Sequence, residues 1–246
     1  MAAFAARYPA VAHVFVPALD DDVTLDDETG HHLGRVRRVR AGDVVTAADG
    51  RGRWRPYAIA LVEPGVVELR ARDAPVEEPH LEPRLVVAFA LTKGAKPELV
   101  VQKLTELGVD GVTVLAGRRS VPRWSDERAG AAVARLRRIA HEAAAQCRRA
   151  RVPAVDGVRP VTGLRGRPGL VVADPEGDDP AALPAPSGGE WLLVVGPEGG
   201  FDPGEVAALD GRRLRLGPHV LRAETAAIAG AAVLATKRTQ VPDDPA

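Results

Sequence analysis

The sequence predicts an α/β protein with a smaller β-rich domain in front of it, and three observations lead to this prediction. From Arg84 onward, strand-like apolar runs alternate with helix-like segments, as in a mostly parallel sheet covered by helices. Residues 1–73 instead show short apolar runs between turn signals. Two later strand-like runs end in glycine-proline turns, at Gly196-Pro197 and Gly217-Pro218. Ligands bind at the carboxyl ends of strands, so these turns are expected to face one pocket.

The composition describes a chain that can bury a large core without disulfides. Its 246 residues carry 33 basic and 33 acidic side chains and one cysteine, Cys147, which excludes an internal disulfide and a CxxC metal site. We expect a cytoplasmic protein with no metal. The start of the chain lacks a signal-peptide pattern, and the apolar run 226–235 is too short to span a bilayer, so no membrane association is expected.

The charge is unevenly distributed. Residues 84–151 hold 14 Lys or Arg and only 6 Asp or Glu. Such a surplus is typical of a surface that binds a polyanion, nucleic acid first. A solvated helix face would give the same count, and charge alone does not separate these interpretations.

In the first domain, strands are predicted at 11–16, 44–47, 57–62 and 66–69. Seven arginines fall between positions 35 and 55, around Trp54, whose ring could stack on a base. The alternative is an ordinary surface in an arginine-rich protein. His31 and His32 have no partners at metal-ligand spacing, so they are interpreted as structural or RNA-facing. Three prolines within residues 73–83 predict a stiff linker, with a domain boundary near residue 80.

The second domain is predicted to contain five strands and three helices. The strands are 85–89, 112–115, 170–173, 191–195 and 214–216, and the helices are 97–107, 127–149 and 223–235. The GPEGG segment at 196–200 is neither a P-loop nor a dinucleotide fingerprint. The last helix has seven alanines in thirteen residues, which indicates a thin, buried helix. Arg222 and Lys96 each lie at a helix N-terminus, where they could form an anion site or extend into water.

Several segments resemble the RsmE family of ribosomal RNA small-subunit methyltransferases, in the SPOUT superfamily. They are LVVQKLTELGVDGVTVL (99–115), AAQCRRARVP (144–153), LLVVGPEGGF (192–201) and LGPHVLRAETA (216–226), and HHLGRVRRVRAGD (31–43) resembles the family's N-terminal segment. The resemblance implies a PUA-like β-barrel at 1–75 and a SPOUT α/β domain at 82–246 with a C-terminal trefoil knot. It also implies a homodimer that uses S-adenosylmethionine to methylate uridine N3 in 16S rRNA, free or in the 30S subunit.

The resemblance also implies roles for individual residues. The methyl-donor pocket would be formed by Asp174, Pro175, Gly196, Pro197, Gly200, Leu216, Gly217, Val220 and Leu221. The residues facing RNA would be His32, Arg35, Arg38, Lys96, Gln102, Lys103 and Arg148. Arg222 and Glu224 would lie where donor and uracil meet. The chain departs from the family pattern at Ala145, His219 and Ala223, so the resemblance gives these positions no role.

Methylation of uridine N3 requires the loss of a tightly held proton. Arg222 is the candidate that stabilises the resulting uracil anion. Glu198 or Glu224 could take the proton, although either could instead cap a helix. Two other functions stay open: a non-catalytic RNA-binding protein, and a nucleotide-using enzyme such as a dehydrogenase, for which an early GxGxxG is missing.

Overall fold

The computed structural model of the protein describes residues 9–25, 28–31, 33–34, 38–91, 96–119, 126–186 and 188–241. The chain divides into two compact units. The first contains Met1–Pro79 together with Ala144–Val152, and the second contains His80–Ala143 and Pro153–Ala246. The sequence predicts a boundary between residues 75 and 82 but assigns residues 144–152 to the second domain, whereas in the structure they belong to the first unit.

The first unit is built on a six-stranded sheet. Its strands are β1 (Ala12–Phe15), β2 (Asp22–Leu25), β3 (Val44–Ala48), β4 (Arg53–Glu63), β5 (Val66–Ala71) and β6 (Val76–Glu77), with a one-turn helix α1 (Glu28–His31). The strand order is β1-β3-β4-β5-β2, and β6 pairs with β4. Only β1 and β3 run parallel; the other pairs are antiparallel.

The core of this unit comes from the side chains that alternate along its strands. Val45, Tyr57, Ile59, Val67 and Leu69 are almost completely buried and pack together. A buried histidine adds a polar link: His13 Nδ1 lies 2.7 Å from Thr46 Oγ1, and Nε2–H donates to the Arg149 carbonyl at 3.0 Å. The segment Ala144–Val152 is thereby fixed to the sheet, although it is distant in sequence.

The predicted stiff linker at 73–83 is wrong in part, because it contains two short strands. Strand β6 pairs with β4, and β7 (His80–Glu82) pairs antiparallel with β14 (Thr239–Val241). Each strand has two or three residues and lies beside prolines, so its own sequence carries no strand signal.

The second unit contains a six-stranded sheet in which every pair is parallel, which confirms the predicted mostly parallel sheet. Its strands are β8 (Arg84–Ala90), β9 (Gly111–Ala116), β10 (Ala154–Pro160), β11 (Leu170–Asp178), β12 (Glu190–Val195) and β13 (Arg212–Leu214). The helices are α2 (Lys96–Glu106), α3 (Asp126–Gln146, whose last three residues belong to the first unit), α4 (Pro203–Val206) and α5 (Ala223–Ala235), with 3-10 turns at Val161–Leu164 and Pro180–Ala182. The predicted strand 214–216 is shifted by two residues, and β10 has no predicted counterpart.

The strand order of this sheet brings three C-terminal turns together. The order is β10-β9-β8-β12-β11-β13, so β12 lies between β8 and β11. Because all six strands are parallel, their carboxyl ends share one edge. The turns that follow β11, β12 and β13 therefore lie side by side.

Helix α5 packs against α2, β8 and β12. It is apolar nearly all round, and Ala227, Ala231 and Leu234 are completely buried. A Cβ built at Gly230 would lie 2.7 Å from Leu193 Cδ2 and 3.3 Å from Leu216 Cδ1. The small residues thus allow the helix axis to approach the sheet closely, as predicted for a thin, buried helix.

The two sequence ends of the second unit are joined by Arg238. Its side chain is 1% exposed and donates to the carbonyls of Pro83 (2.8 Å), Gly108 (2.8 Å) and Leu81 (2.9 Å), and it also pairs with Asp110. The β7–β14 pair lies beside this cluster in sequence. Within the part of the chain that the structure describes, no helix combines the length and apolar character needed to cross a membrane.

Candidate functional site

A cavity of about 530 Å³ opens at the carboxyl edge of the parallel sheet. Both glycine-proline turns contribute to its wall, so the juxtaposition that the sequence predicts is present. All nine residues predicted for the methyl-donor pocket line it: Asp174, Pro175, Gly196, Pro197, Gly200, Leu216, Gly217, Val220 and Leu221. Further lining residues that the prediction did not name include Val172, Phe201, Val206, Arg213 and Ala226.

The turn after β12 is held in a defined shape. Gly200 has φ +68 and its N–H donates to the Pro197 carbonyl at 2.8 Å. Asp202 and Glu205 form a capping box at the start of α4, with both hydrogen bonds present. The buried Glu205 carboxylate also accepts from the backbone N–H of Arg118 at 2.7 Å. The loop after β9 is therefore hydrogen-bonded to α4 and holds this turn in place.

Phe201 shapes the wall next to Gly196. A Cβ built at Gly196 would lie 2.9 Å from Phe201 Cε2, so the ring can pack here only because position 196 has no side chain. The ring also packs against the apolar core formed by Leu170, Val172 and Leu192, among others. Phe201 directly follows GPEGG and closes the segment 192–201 that carries the family resemblance, and this position is the signal in the sequence that could have identified it.

Asp174 supplies an acidic group to the cavity. Its carboxylate accepts from the backbone N–H of Glu176 at 2.9 Å and pairs with the guanidinium of Arg213, another lining residue. The Glu176 hydrogen bond lowers the pKa of Asp174 and Arg213 lowers it further, while burial opposes them. Asp174 is therefore an ionised acceptor at neutral pH.

Arg222 lines the cavity and is exposed. It occupies the N-cap position of α5, and its carbonyl accepts the first helical hydrogen bond, from Ala226 N–H at 2.8 Å. The neighbouring backbone N–H groups of the helix start and the guanidinium together create a region of positive potential at the cavity wall.

Of the two candidate carboxylates, only Glu198 lines the cavity. Its side chain is 56% exposed, whereas that of Glu224 is 13% exposed. Lys96 lies between them: its Nζ is 3.0 Å from Glu224 Oε1 and 3.9 Å from Glu198 Oε1. Burial raises the pKa of Glu224, but its own backbone N–H, Lys96 and Arg222 together outweigh burial and lower it.

The predicted RNA-facing residues occupy several places. His32 and Arg35 lie outside the described residues. In the first unit, Arg38 is exposed and Arg148 is half-buried, and both have left-handed backbone conformations, with φ 51 and φ 60. In the second unit, Gln102 is exposed on α2, and Lys103 pairs with Glu106 at 2.8 Å.

The hypothesis that Trp54 stacks on a base is wrong. Trp54 is 3% exposed and packs in a buried cluster with Ala48 and Ala150, against the partly buried Phe15 and Val76. The arginine beside it, Arg55, is directed to Asp21 at 2.8 Å and to the Leu19 carbonyl at 3.0 Å. Among the described residues, no group of three or more His, Cys, Asp or Glu side chains is arranged to hold a metal ion.

Comparisons with known proteins agree with this architecture. Residues 79–235 match the model of the RNA methyltransferase domain, and residues 25–70 match that of the RNA methyltransferase PUA domain. The chain is 36% identical over 217 residues to ribosomal RNA small subunit methyltransferase E of Mycobacterium bovis, covering 82% of each protein. It is 32% identical over 218 residues to the Bacillus subtilis protein of the same name, covering 82% of this chain and 85% of that one.

A solved structure is similar over nearly the whole chain. The ribosomal RNA small subunit methyltransferase E of Neisseria gonorrhoeae, bound to S-adenosyl methionine, superimposes with a TM-score of 0.81 at 25% identity, covering 92% of this chain and 97% of that one. The matched domain models cover most of the sequence, and the methyltransferase model includes every residue of the cavity wall. The chain therefore belongs to the ribosomal RNA small subunit methyltransferase E family.

Proposed function

We propose that this protein transfers a methyl group from S-adenosylmethionine to N3 of a uridine in 16S ribosomal RNA. The observation that carries the proposal is the cavity at the carboxyl edge of the sheet, which is lined by residues of β11 and by the turns after β12 and β13. Family membership gives the class of reaction, and the named relatives act on small-subunit ribosomal RNA. The choice of uridine N3 comes from the family resemblance.

The residues of the cavity fit the proposed methyl donor. A volume of about 530 Å³ lies within the about 300–1,000 Å³ of small-molecule sites. Val172, Leu216 and Ala226 offer apolar surface, and the glycine-proline turns expose backbone N–H and carbonyl groups. The ionised Asp174 supports binding of hydroxyl donors such as those of a ribose.

When bound, S-adenosylmethionine supplies an electrophilic methyl group on a sulfonium centre. Arg222 places its guanidinium at the cavity wall, where it stabilises the negative charge that develops on the uracil oxygens as N3 loses its proton. The same wall holds two carboxylates: Asp174 is paired with Arg213, and we assign the acceptance of that proton to Glu198. Both groups act by position, so the alignment of the acceptor base contributes to the rate as well.

We further propose that the second unit contains a trefoil knot and that the first is a PUA-like barrel. The knot is supported by the insertion of β12 between β8 and β11, and by the return of the chain from the edge strand β13 to helix α5 on β8 and β12. The hydrogen bond from Arg215 N–H to the Asp178 carbonyl fixes the crossing segment to the end of β11. The barrel is supported by the match to the PUA domain.

RNA is the proposed partner, as free 16S rRNA or within the 30S subunit, and the proposed assembly is a homodimer in the cytoplasm without a metal cofactor. The surplus of basic residues between 84 and 151 supports contact with a polyanion. Arg38, Gln102, Lys103 and Arg148, with His32 and Arg35, are the proposed contact residues.

Replacing Arg222 with alanine tests the assignment of the site. Arg222→Ala should retain the donor dissociation constant, measured by calorimetry, because the turns hold the donor largely through backbone atoms. Turnover should fall by about 100-fold or more, as for the loss of one oxyanion-stabilising donor. Loss of donor binding with normal residual chemistry would contradict this role of Arg222.

The substrate is tested in cells. Mass spectrometry of ribosomal RNA from cells that lack the protein should reveal one missing uridine methyl group, restored by the wild-type chain and not by Arg222→Ala. An unchanged set of 16S modifications would reject the proposed substrate. Binding of NAD or ATP in place of S-adenosylmethionine would reject the proposed donor.

A further inference from the structure

One lysine joins three separate segments beside the cavity. Lys96 is the first residue of α2, Glu224 lies in the first turn of α5, and Glu198 lies in the turn after β12. The Lys96 ammonium is 3.0 Å from Glu224 Oε1 and 3.9 Å from Glu198 Oε1. This contact set differs from the RNA-facing role that the family resemblance implies for Lys96.

The two carboxylates have unequal surroundings. Glu224 is mostly buried, and its Oε2 is a buried atom for which the described chain offers no hydrogen-bond partner. The ionised Glu224 carboxylate is stabilised by its own backbone N–H and by the Lys96 ammonium, with Arg222 also nearby. Glu198 is more than half exposed and belongs to the cavity wall. The Lys96–Glu224 ion pair is consequently the fixed one, and the Lys96–Glu198 pair is the adjustable one.

Other charged residues on the packed elements are engaged elsewhere. On α2, Glu98 pairs with Arg135 at 3.1 Å and Lys103 pairs with Glu106 at 2.8 Å. On the strands beneath α5, Arg84 and Glu190 lie 3.9 Å from each other. Because these groups already have partners, they do not compete with Glu198 and Glu224 for Lys96.

We propose that Lys96 and Glu224 form a positioning pair for Glu198. Glu224 fixes the Lys96 ammonium, and the ammonium holds the Glu198 carboxylate at the cavity wall. The inference rests on the proposed function, in which Glu198 accepts the proton of the acceptor base. It makes Glu224 a positioning residue rather than a proton acceptor.

The test is a double-mutant cycle on methyl transfer to 30S subunits, with S-adenosylmethionine as donor. The variants are Lys96→Met, Lys96→Arg, Glu224→Gln and the double variant Lys96→Met/Glu224→Gln. Arg167→Met is the matched control, since Arg167 is an exposed cation with a carboxylate partner, Glu190, at 2.8 Å outside the site. For each protein, kcat, the KM for subunits, the donor dissociation constant and the melting temperature are measured.

Lys96→Met and Glu224→Gln should each lower kcat by about tenfold or more, because a misplaced group loses part of the about 100- to 10,000-fold that a general base contributes. The double variant should be no slower than the slower single variant, since both changes break one unit. Lys96→Arg should restore most of kcat. An unchanged donor dissociation constant shows that the cavity is folded. Arg167→Met should leave kcat and KM unchanged, because its ion pair lies outside the site.

Two results would overturn the proposal. One is multiplicative losses in the double variant, which would mean that Lys96 and Glu224 act independently. The other is a Lys96→Met variant whose only defect is a higher KM with a reduced salt dependence, as expected for a phosphate contact.

A readout without turnover separates this inference from the proposed function. Hydrogen exchange of the Gly200 amide, which donates to the Pro197 carbonyl, should be faster in Lys96→Met and in Glu224→Gln than in the wild type, because the turn that carries Glu198 loses one of its attachments. Unchanged exchange would refute the positioning pair. A wild-type protein that fails to methylate would instead refute the proposed function, and the exchange result would still decide the inference.

Discussion

Gly196 and Phe201 illustrate how single residues set the form of the cavity. The absence of a side chain at 196 admits the ring of Phe201 to the wall, where a Cβ would meet Cε2 at 2.9 Å. The family resemblance implies the nine donor residues, position by position along the chain. It does not predict Phe201 or Arg213, because their place in the wall depends on how the turn after β12 and the edge strand β13 meet in space.

At the same scale, the Glu224 carboxylate makes the stability of the protein depend on pH. The pKa of Glu224 is lowered in the folded state, despite the opposing effect of burial, by its backbone N–H, Lys96 and Arg222. The ionised Glu224 therefore stabilises the folded state fully at pH values above its pKa in the unfolded state, about 4.3. This stabilisation is lost as the pH falls through the lower pKa of the folded state. The wild type should be more stable than Glu224→Gln at pH 7, and the difference should shrink below about pH 4.

Urea unfolding of both proteins between pH 7 and pH 3 measures this difference. Glu142→Gln is the control, because Glu142 lies on the exposed face of α3 with a side chain that is 67% exposed. Its effect should stay within about 0.5 kcal/mol. A stability difference for Glu224→Gln that is constant across this range would contradict the assigned ion pair.

At the scale of elements, the two long helices of the second unit use glycine in opposite ways. Gly130, in α3, is exposed, and a Cβ there would meet nothing within 4 Å. Gly230, in α5, faces the buried Leu193, which has no solvent to move into. The same residue type is therefore a weak point in one helix and a packing requirement in the other.

Alanine at these two positions should have effects of opposite sign. Gly130→Ala should raise the free energy of unfolding by about 0.5–1 kcal/mol, through helix propensity. Gly230→Ala gains the same propensity but overpacks the helix–sheet contact, at a cost of about 1–3 kcal/mol, so a net loss of about 1 kcal/mol is expected. Thermal and urea unfolding measure both. Stabilisation by Gly230→Ala would show that α5 lies farther from β12 than described.

The sequence predicts long elements better than short ones. Strand β12 and helix α5 are found at their predicted residues, because each has a continuous apolar pattern. Strands β6 and β7 are missed because two or three residues beside prolines carry no pattern. Their pairing depends on β4 and β14, and β14 lies about 160 residues further along the chain than β7.

For the whole molecule, the order of strands in the sheet cannot be predicted from local sequence patterns. The apolar pattern identifies β8, β9, β11 and β12 as buried strands, but it does not predict that β12 inserts between β8 and β11. That order is what brings the two glycine-proline turns to one cavity. Likewise, the first unit recruits Ala144–Val152 through contacts such as His13 to the Arg149 carbonyl, which sequence proximity cannot reveal.

Arg238 is expected to be among the largest single contributors to the stability of the second unit. Arg238→Met would leave three carbonyls, those of Leu81, Pro83 and Gly108, without this donor. It would also remove the cation beside Asp110, whose carboxylate keeps the hydrogen bond from Leu85 N–H. Breaking a buried ion pair from one side costs about 3–5 kcal/mol. The loss should appear as a lower urea midpoint.

The control is Arg165→Met, at an exposed position, with an expected change within about 0.5 kcal/mol. We call the contacts of Arg238 with residues 81–110 the clasp. If Arg238→Met lowered the free energy of unfolding no more than Arg165→Met does, the clasp would not stabilise the protein as described.

The clasp also has a consequence for synthesis on the ribosome. The acceptors around residues 81–110 are made early, whereas the guanidinium and β14 are made more than 120 residues later. A nascent chain that stalls before residue 238 leaves β7 as an unpaired edge and the Asp110 charge uncompensated. Such a fragment resembles a partly open native state, which proteases cleave readily, so truncated translation products of this protein should be removed rather than accumulate.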